Sequence, residues 1–305
     1  MVQLKNNVCC LNPECKKPEN TNGTKFCQSC GTEIVLLRKR YHPIKLLSDE
    51  GGFGRTYLAA DVDKLNELCV IKQLAPKLRG TASLKKATEL FEQEAKQLQE
   101  LGEHDQIPRL LAYFDKNSQL YLIQQYVQGK TLDKLQKKGC WSEGEIRDFL
   151  NDILPVLEFI HEKKLIHRDI KPPNIMRREE DRKFVLIDFG ASKDFAATVV
   201  NQGTQIGTFG YSPFEQLHGG EAYPASDLYS IGATCFYLLT KENLHKLFLE
   251  QGYQWADNWE QYLQQPISKE LKQVLGKLLQ KDIKNRYQSV EEVREDLNPS
   301  PAQSV

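Results

Sequence analysis

Residues 166–174 read IHRDIKPPN, and no other stretch restricts the chain so tightly. Pro172 and Pro173 forbid a helix here, so the segment is an irregular loop. It gathers a His, an Arg, an Asp, a Lys and an Asn beside apolar runs, the texture of a loop that carries chemistry. Shortly after it, FVLIDFGASK reads as an apolar strand ending in Asp188-Phe189-Gly190. The fold must set a polar loop and a strand end of this kind on a well-packed base.

The flanking sequence changes texture along the chain. From Tyr41, the runs YHPIKLLS, RTYLAADV and LCVIKQL are short and rich in Val, Ile, Leu, Tyr and Thr, with turn residues between them. The first two enclose SDEGGFGRTY, a glycine-rich turn. A helix is expected over residues 83–101, where Leu84, Ala87, Leu90, Phe91, Ala95 and Leu98 recur at three- and four-residue spacing. Two more strand-like runs, IPRLLAYF and LYLIQQYV, are joined by DKNSQ. Past Gly129 the chain is mainly helical. Ser142-Glu143-Gly144-Glu145 has the form of a capping box, and the helix after it carries Ile146, Phe149, Leu150, Ile153, Leu157 and Ile160 on one stripe. Pro155 is expected to interrupt and kink that helix. Trp255 and Trp259 suit core packing better than a docking surface. The reading is α+β: a mostly β lobe, then a mostly α lobe, with a cleft expected between them.

Composition narrows the function classes. Of 305 residues, 40% are hydrophobic and 27% charged, ordinary for a soluble globular protein. Lys+Arg and Asp+Glu balance at 41 each, which argues against bulk binding of nucleic acid or an anionic membrane. No apolar run approaches the ~20 residues of a membrane span, and the N-terminus lacks a signal-peptide core. A cytoplasmic protein is the expectation. Five of the eight cysteines, Cys9, Cys10, Cys15, Cys27 and Cys30, crowd the first 30 residues. This suggests a small cysteine module joined to a larger domain.

Taken in order, the glycine loop, VIK, a helical Glu, HRDIKPPN, DFG and SDLYSIG resemble the eukaryotic-type Ser/Thr protein kinases. The resemblance covers roughly residues 41–297 and implies a bilobal kinase fold. Its N-lobe would span 41–127 and its C-lobe 128–297, after a module at 1–37 and before a disordered tail at 298–305. It also implies ATP with Mg²⁺ (or Mn²⁺), and protein substrates. Phosphoryl transfer needs charge neutralisation and in-line positioning more than covalent help. Lys72 is implied for the α- and β-phosphates, with Glu94 to hold it. Asn174 and Asp188 are implied as Mg²⁺ ligands, Asp169 as the group that orients the substrate hydroxyl, and Lys171 for the γ-phosphate. Gly51, Gly52, Phe53 and Gly54 would cover the nucleotide. Gln125 and Val127 would meet adenine through backbone groups, with Gln124 at the back of the pocket. Asp227 resembles the helical Asp that braces the HRD loop, and Glu215 with Arg286 the ion pair anchoring the activation segment. Lys171 and Thr208 together resemble the Ser/Thr rather than the Tyr branch.

The sequence departs from the family pattern in two places. Asp49 stands where the first loop glycine is usual, which predicts a working clamp of weakened ATP affinity. Pro213-Phe214-Glu215 replaces APE, which predicts a local backbone change with Glu215 retained. Arg168 before Asp169 implies switching by phosphorylation of the activation segment, with Ser192, Thr198 and Thr204 as candidate sites; trans-autophosphorylation in a dimer would follow. At the N-terminus, Cys10-x4-Cys15 and Cys27-x2-Cys30-Gly31 supply four thiolates suited to tetrahedral Zn²⁺. They resemble the zinc-ribbon-like heads before some cyanobacterial kinases. Cys9 is a possible substitute for Cys10, and a thiol/disulfide redox site or unliganded cysteines are the alternatives. Cys69, Cys140 and Cys235 read as small buried hydrophobes. The rival readings are a non-catalytic scaffold with a kinase fold, and a chain whose main business is its cysteine head as a nucleic-acid or redox sensor.

Overall fold

A computed structural model describes residues 7–51, 54–75, 81–189 and 209–298. The chain forms two compact units, Met1–Glu103 with Pro108–Tyr126, and His104–Ile107 with Val127–Val305.

The first unit begins with a small ribbon, β1 (Asn7–Cys9) antiparallel to β2 (Glu19–Thr21). It continues into β3 (Tyr41–Gly51), β4 (Gly54–Asp61), β5 (Glu67–Leu74), helix α1 (Thr81–Leu101), β6 (Leu110–Lys116) and β7 (Gln119–Gln125). The strands make one antiparallel five-stranded sheet in the order β3-β4-β5-β7-β6. Asn117 and Ser118 turn β6 into β7 with positive φ at both positions, 55° and 59°, as a tight twisted hairpin requires. Arg40 clamps the far end of β4 through two bonds of 2.7 Å to the buried Asp61 carboxylate.

Because side chains alternate along a strand, the sheet has two distinct faces. Tyr57, Ala59, Cys69, Ile71, Tyr121 and Ile123 line one face and form a core with Cys9, Leu37 and Tyr41, so the N-terminal segment covers it. Helix α1 packs on β5 and β6. It buries Ala87, Leu90, Phe91, Ala95 and Leu98. Leu84, expected in this stripe, is 49% exposed at the start of the helix.

The second unit has a three-stranded sheet, β8 (Gly129–Thr131), β9 (Ile175–Arg178) and β10 (Phe184–Leu186), ordered β10-β9-β8. Its helices are α2 (Leu132–Leu135), α3 (Glu143–Glu162), α4 (Pro224–Thr240), α5 (Leu244–Gln251), α6 (Lys269–Leu278) and α7 (Val290–Leu297). The capping box of α3 is formed: Ser142 N donates to Glu145 Oε2 at 2.8 Å and Glu145 N to Ser142 Oγ at 3.3 Å. Contrary to the sequence expectation, α3 is not interrupted at Pro155. The proline lies on the exposed face, where solvent can satisfy the carbonyl it leaves unpaired. Helix α4 is apolar nearly all round and is the buried centre of the unit. A Cβ on Gly232 would meet the Leu278 side chain at 2.8 Å, so glycine permits the close approach of α4 to α6. Trp255 and Trp259 are buried, as core residues. Among the described residues, no helix is long and apolar enough to cross a membrane.

Candidate active site and metal centre

In the first unit, Lys72 on β5 pairs with Glu94 of α1, and both side chains are largely buried. Desolvated partners of this kind depend on each other, since losing one strands a buried charge. Gly51 and Gly54 face each other as the last pair of the β3–β4 ladder. A Cβ on Gly54 would lie 1.8 Å from Gln73 O and 2.5 Å from Ala75 N, so no other residue fits without moving β5. Just before this pair the register shifts: Ser48 pairs with Thr56 and Gly51 with Gly54, so Asp49 and Glu50 stand opposite the single residue Arg55. That is a β-bulge, a device that re-aims side chains. Gly52 and Phe53, at the loop tip, lie outside the described residues. Gln124 is buried on β7; beside it, Gln125 N donates to Arg109 O at 2.9 Å, an engaged amide at the strand end.

The second unit holds the polar loop, and buried Asp227 of α4 organises it. Its Oδ1 accepts from Arg168 N and its Oδ2 from His167 N, each at 2.9 Å, while His161 Nε2 lies 3.0 Å from Oδ2. These bonds hold Arg168 at φ 70°, a left-handed conformation that is uncommon for a residue with a side chain. His167 is fully buried, and burial pushes its pKa below the ordinary value. Its bonding is that of a neutral imidazole, Nδ1 accepting from Asp169 N at 3.3 Å and Nε2 donating to Ile187 O at 3.0 Å. The imidazole thus ties the loop to the strand end that carries Asp188. Ile187 N donates to Asn174 O at 2.9 Å, and the Phe189 ring packs on His167 at 4.6 Å.

These bonds bring four of the expected residues into a small region. Asn174 Nδ2 donates to Asp169 O at 2.9 Å and to Asp169 Oδ2 at 2.7 Å, and Lys171 Nζ lies 2.8 Å from the same Oδ2. With its Nδ2 so engaged, the Asn174 amide keeps Oδ1 as its remaining polar atom, a hard oxygen of the kind Mg²⁺ takes. Asp188 follows β10 at φ 61°, a position set by the backbone. Val127 is buried at the start of the unit. The expected ion pair between Glu215 and Arg286 is formed. Arg286 forks onto Glu215 with two bonds of 2.8 Å, and Ser226 Oγ donates to Glu215 Oε1 at 2.7 Å. Burial alone would raise the Glu215 pKa, but these bonds outweigh it and hold the carboxyl below its usual range. The early proline leads into a π-helical turn, Glu215–Gly219, as a local backbone change. Thr198, Thr204 and Thr208, with Ser192, lie outside the described residues.

One positioning residue carried no sequence signal. Buried Gln106 donates through Nε2 to Phe184 O at 3.0 Å and to Asp152 O and Oδ2 at 3.1 Å, and its own carbonyl accepts from Leu186 N at 2.9 Å. It fixes β10, and a lone glutamine after a turn looks like any surface residue.

The cysteine segment converges on a separate centre in the first unit. The sulfurs of Cys10, Cys15, Cys27 and Cys30 all lie within 4.8 Å of one another, with Cys10–Cys30 and Cys15–Cys27 each at 3.6 Å. A tetrahedral zinc with Zn–S near 2.3 Å spaces its sulfurs about 3.8 Å apart, so the set fits that ion. Gly31 at φ 74° closes the second knuckle, and its N–H donates to Cys27 O at 2.8 Å. Outer groups bond the sulfurs: Asn20 Nδ2 donates to Cys27 at 3.5 Å and Asn12 N to Cys10 at 3.4 Å, and Cys30 Sγ is paired with Thr32 Oγ1 at 3.3 Å. The Thr32 contacts pull the Cys30 pKa down to about 6, whereas burial pushes Cys10 up to about 12. Cys9 stands outside the sulfur cluster. It faces the sheet core, leaving Cys10 in the cluster. Cys69 and Cys235 are buried as expected, but Cys140 is only half-buried.

Comparison with known proteins agrees with this architecture. Residues 45–297 match the protein kinase domain family. The chain is 40% identical over 299 residues to Serine/threonine-protein kinase B of Synechocystis sp., covering 94% of this chain and 51% of that protein. It is 47% identical over 224 residues to Serine/threonine-protein kinase PknA of Nostoc sp., covering 70% of this chain and 39% of that one. The chain thus spans about half the length of the curated relatives it matches, or less. Among solved structures, PpkA-294 in its apo form superposes with a TM-score of 0.71 at 24% identity, over 85% of this chain and 96% of that one, which supports the fold. A family match over residues 45–297 and relatives of this identity establish that the chain belongs to the protein kinase family.

Proposed function

We propose that the chain is a serine/threonine protein kinase that transfers the ATP γ-phosphate to protein hydroxyls, itself included. The observation that carries this reading is the Asp169 carboxylate, held between the Asn174 amide and the Lys171 ammonium on a loop locked by buried Asp227. A carboxylate fixed in this way can accept a hydrogen bond from a substrate hydroxyl and take its proton as the new bond to phosphorus forms. Lys171 offers a positive charge beside it for the transferred phosphoryl. Lys72, steadied by Glu94, neutralises the α- and β-phosphates, and Gly51 to Gly54 cover them. Asp188 and Asn174 are the residues to hold Mg²⁺ or Mn²⁺, which would offset the negative charge of the phosphates. Gln125 and Val127 supply backbone groups to adenine. Arg168 offers charge to a phosphorylated activation segment, with Thr198 and Thr204 as its candidate sites and Thr208 as the substrate-side threonine.

The cysteine centre is read as a structural zinc site, since four sulfurs at tetrahedral spacing have outer hydrogen-bond donors in place. The cytoplasm, where thiols stay reduced, suits such a site. The function is tested with γ-labelled ATP and Mg²⁺ followed by phosphoamino-acid analysis. Label in phosphoserine or phosphothreonine is expected, and loss of label in Lys72→Met and Asp188→Asn. Label undiminished in both variants, or confined to phosphotyrosine, contradicts the reading.

A further inference from the structure

The side chains that hold the cysteine loop and the nucleotide-side residues share strands β4 and β5. Arg55 follows Gly54 on β4, and its Cα partner across the ladder is Gln73, which follows Lys72 on β5. Paired residues project to the same face, and their chain neighbours to the other. Arg55 and Gln73 therefore project toward the face covered by the N-terminal segment, while Thr56 and Lys72 project away from it. Both side chains bond the loop between the first two cysteines of the centre. Arg55 donates to Asn12 O at 3.0 Å and to Cys15 O at 2.6 Å, and Gln73 Nε2 donates to Leu11 O at 2.7 Å. Gln73 is 1% exposed and is wedged further by Tyr57 and Tyr121, whose hydroxyls lie 3.4 and 3.3 Å from its amide.

We infer that Arg55 and Gln73 are positioning residues that couple metal occupancy of the cysteine centre to nucleotide binding, an inference that rests on the zinc and kinase readings above. The loop they grip has Cys10 and Cys15 as its two ends, and inside it the backbone bond is Cys15 N to Asn12 O at 3.0 Å. A metal ion that joins Cys10 to Cys15 fixes the ends, and with them the carbonyls of Leu11, Asn12 and Cys15. Without that constraint the carbonyls lose their fixed places, and a guanidinium fork and a buried amide lose their partners. The consequence reaches the nucleotide side because β4 and β5 cannot slip here. The Gly54 backbone is seated so tightly on Gln73 O that even a Cβ has no room. A shift of Gln73 therefore moves Gly54 and Lys72 together. Lysine at position 55 carries the charge but not the planar fork, so it satisfies two carbonyls poorly.

The test uses the full chain, a fluorescent ATP analogue and Mg²⁺, with bound zinc quantified and then withdrawn by a zinc-selective chelator. The wild-type protein is expected to hold one zinc per chain and to lose about fivefold or more in nucleotide affinity on its removal, the usual range for coupled sites. Arg55→Ala is expected to bind nucleotide more weakly with zinc in place, at a melting temperature close to wild type, and to respond little to the chelator. Arg55→Lys should fall between the two. Zinc bound but nucleotide affinity indifferent to its removal overturns the coupling while leaving the zinc site standing. Arg55→Ala that binds as wild type, or responds to the chelator as fully, overturns the role of Arg55. A chain that takes up no zinc overturns the zinc reading and the inference together. Should chelation unfold the first unit, the zinc-loaded comparison of wild type with Arg55→Ala decides alone.

Discussion

At the scale of single residues, Asp49 stands where the resemblance to protein kinases leads one to expect the first glycine of the loop. Two unit charges ~4 Å apart at an effective dielectric of ~20 repel by ~4 kcal/mol, and solvent and salt reduce this to less than half. The structure adds that Asp49 belongs to a β-bulge opposite Arg55. Its carboxylate is thus on a strand that bends locally, and a residue with freer backbone is tolerated there. Asp49→Gly is expected to tighten ATP binding by up to about tenfold with little change in kcat. An unchanged ATP dissociation constant shows that the carboxylate points away from the phosphates. Lys72, Asp169, Asn174 and Asp188 could be proposed from the sequence because their types, order and spacing suit phosphoryl transfer, and the structure does bring Asp169, Lys171 and Asn174 together. Arg55, Gln73 and Gln106 were not legible. Each works by bonding main-chain carbonyls, and a carbonyl has no residue identity to leave a pattern.

At the scale of elements, burial decides which polar contacts matter. The Arg286 side chain is fully buried and its partner Glu215 nearly so, at 0% and 14% exposure. Arg286→Ala leaves Glu215 as an uncompensated charge and is expected to cost about 3–5 kcal/mol, a fall of roughly 10 °C in Tm. A melting temperature within a degree or two of wild type contradicts this anchor. Histidines that burial disfavours in their charged form set the acid side, His167 fully buried and His104 half-buried. Burial lowers the pKa of His167, and to the same sign that of His104. The unfolded chain takes up protons below about pH 6.5 that the folded chain refuses, so stability falls as pH drops through that value. Denaturant unfolding should show a lower midpoint at pH 5.5 than at 7.5, the buried His167 contributing up to about 1.4 kcal/mol per pH unit and the half-buried His104 less. A midpoint that rises on acidification contradicts it. Strands and long helices followed from periodicity, since side-chain burial repeats with the element. Pro155 misled because a proline on a solvent-facing turn costs a helix one bond without ending it, and Leu84 because periodicity marks a stripe but not where packing along it begins.

At the scale of the whole molecule, the sequence divides into a cysteine head and a kinase domain, yet the head and the five-stranded sheet form one compact unit with a shared core. Composition separated the two segments, but only the three-dimensional arrangement shows Cys9 given to the sheet and Cys10 to the sulfur cluster. The proposed zinc site and the strands proposed to meet the nucleotide thereby belong to one compact unit. The second unit holds the loop proposed to carry the chemistry, braced by α4, and the proposed phosphotransfer depends on the Asp169 carboxylate that this bracing presents. The most direct measurement compares wild type with Asp169→Ala in steady-state phosphotransfer to a protein substrate, with ATP affinity measured alongside. A fall in kcat of about 10²–10⁴-fold, with nucleotide affinity nearly unchanged, is the predicted result. Equal turnover by the two proteins contradicts the account.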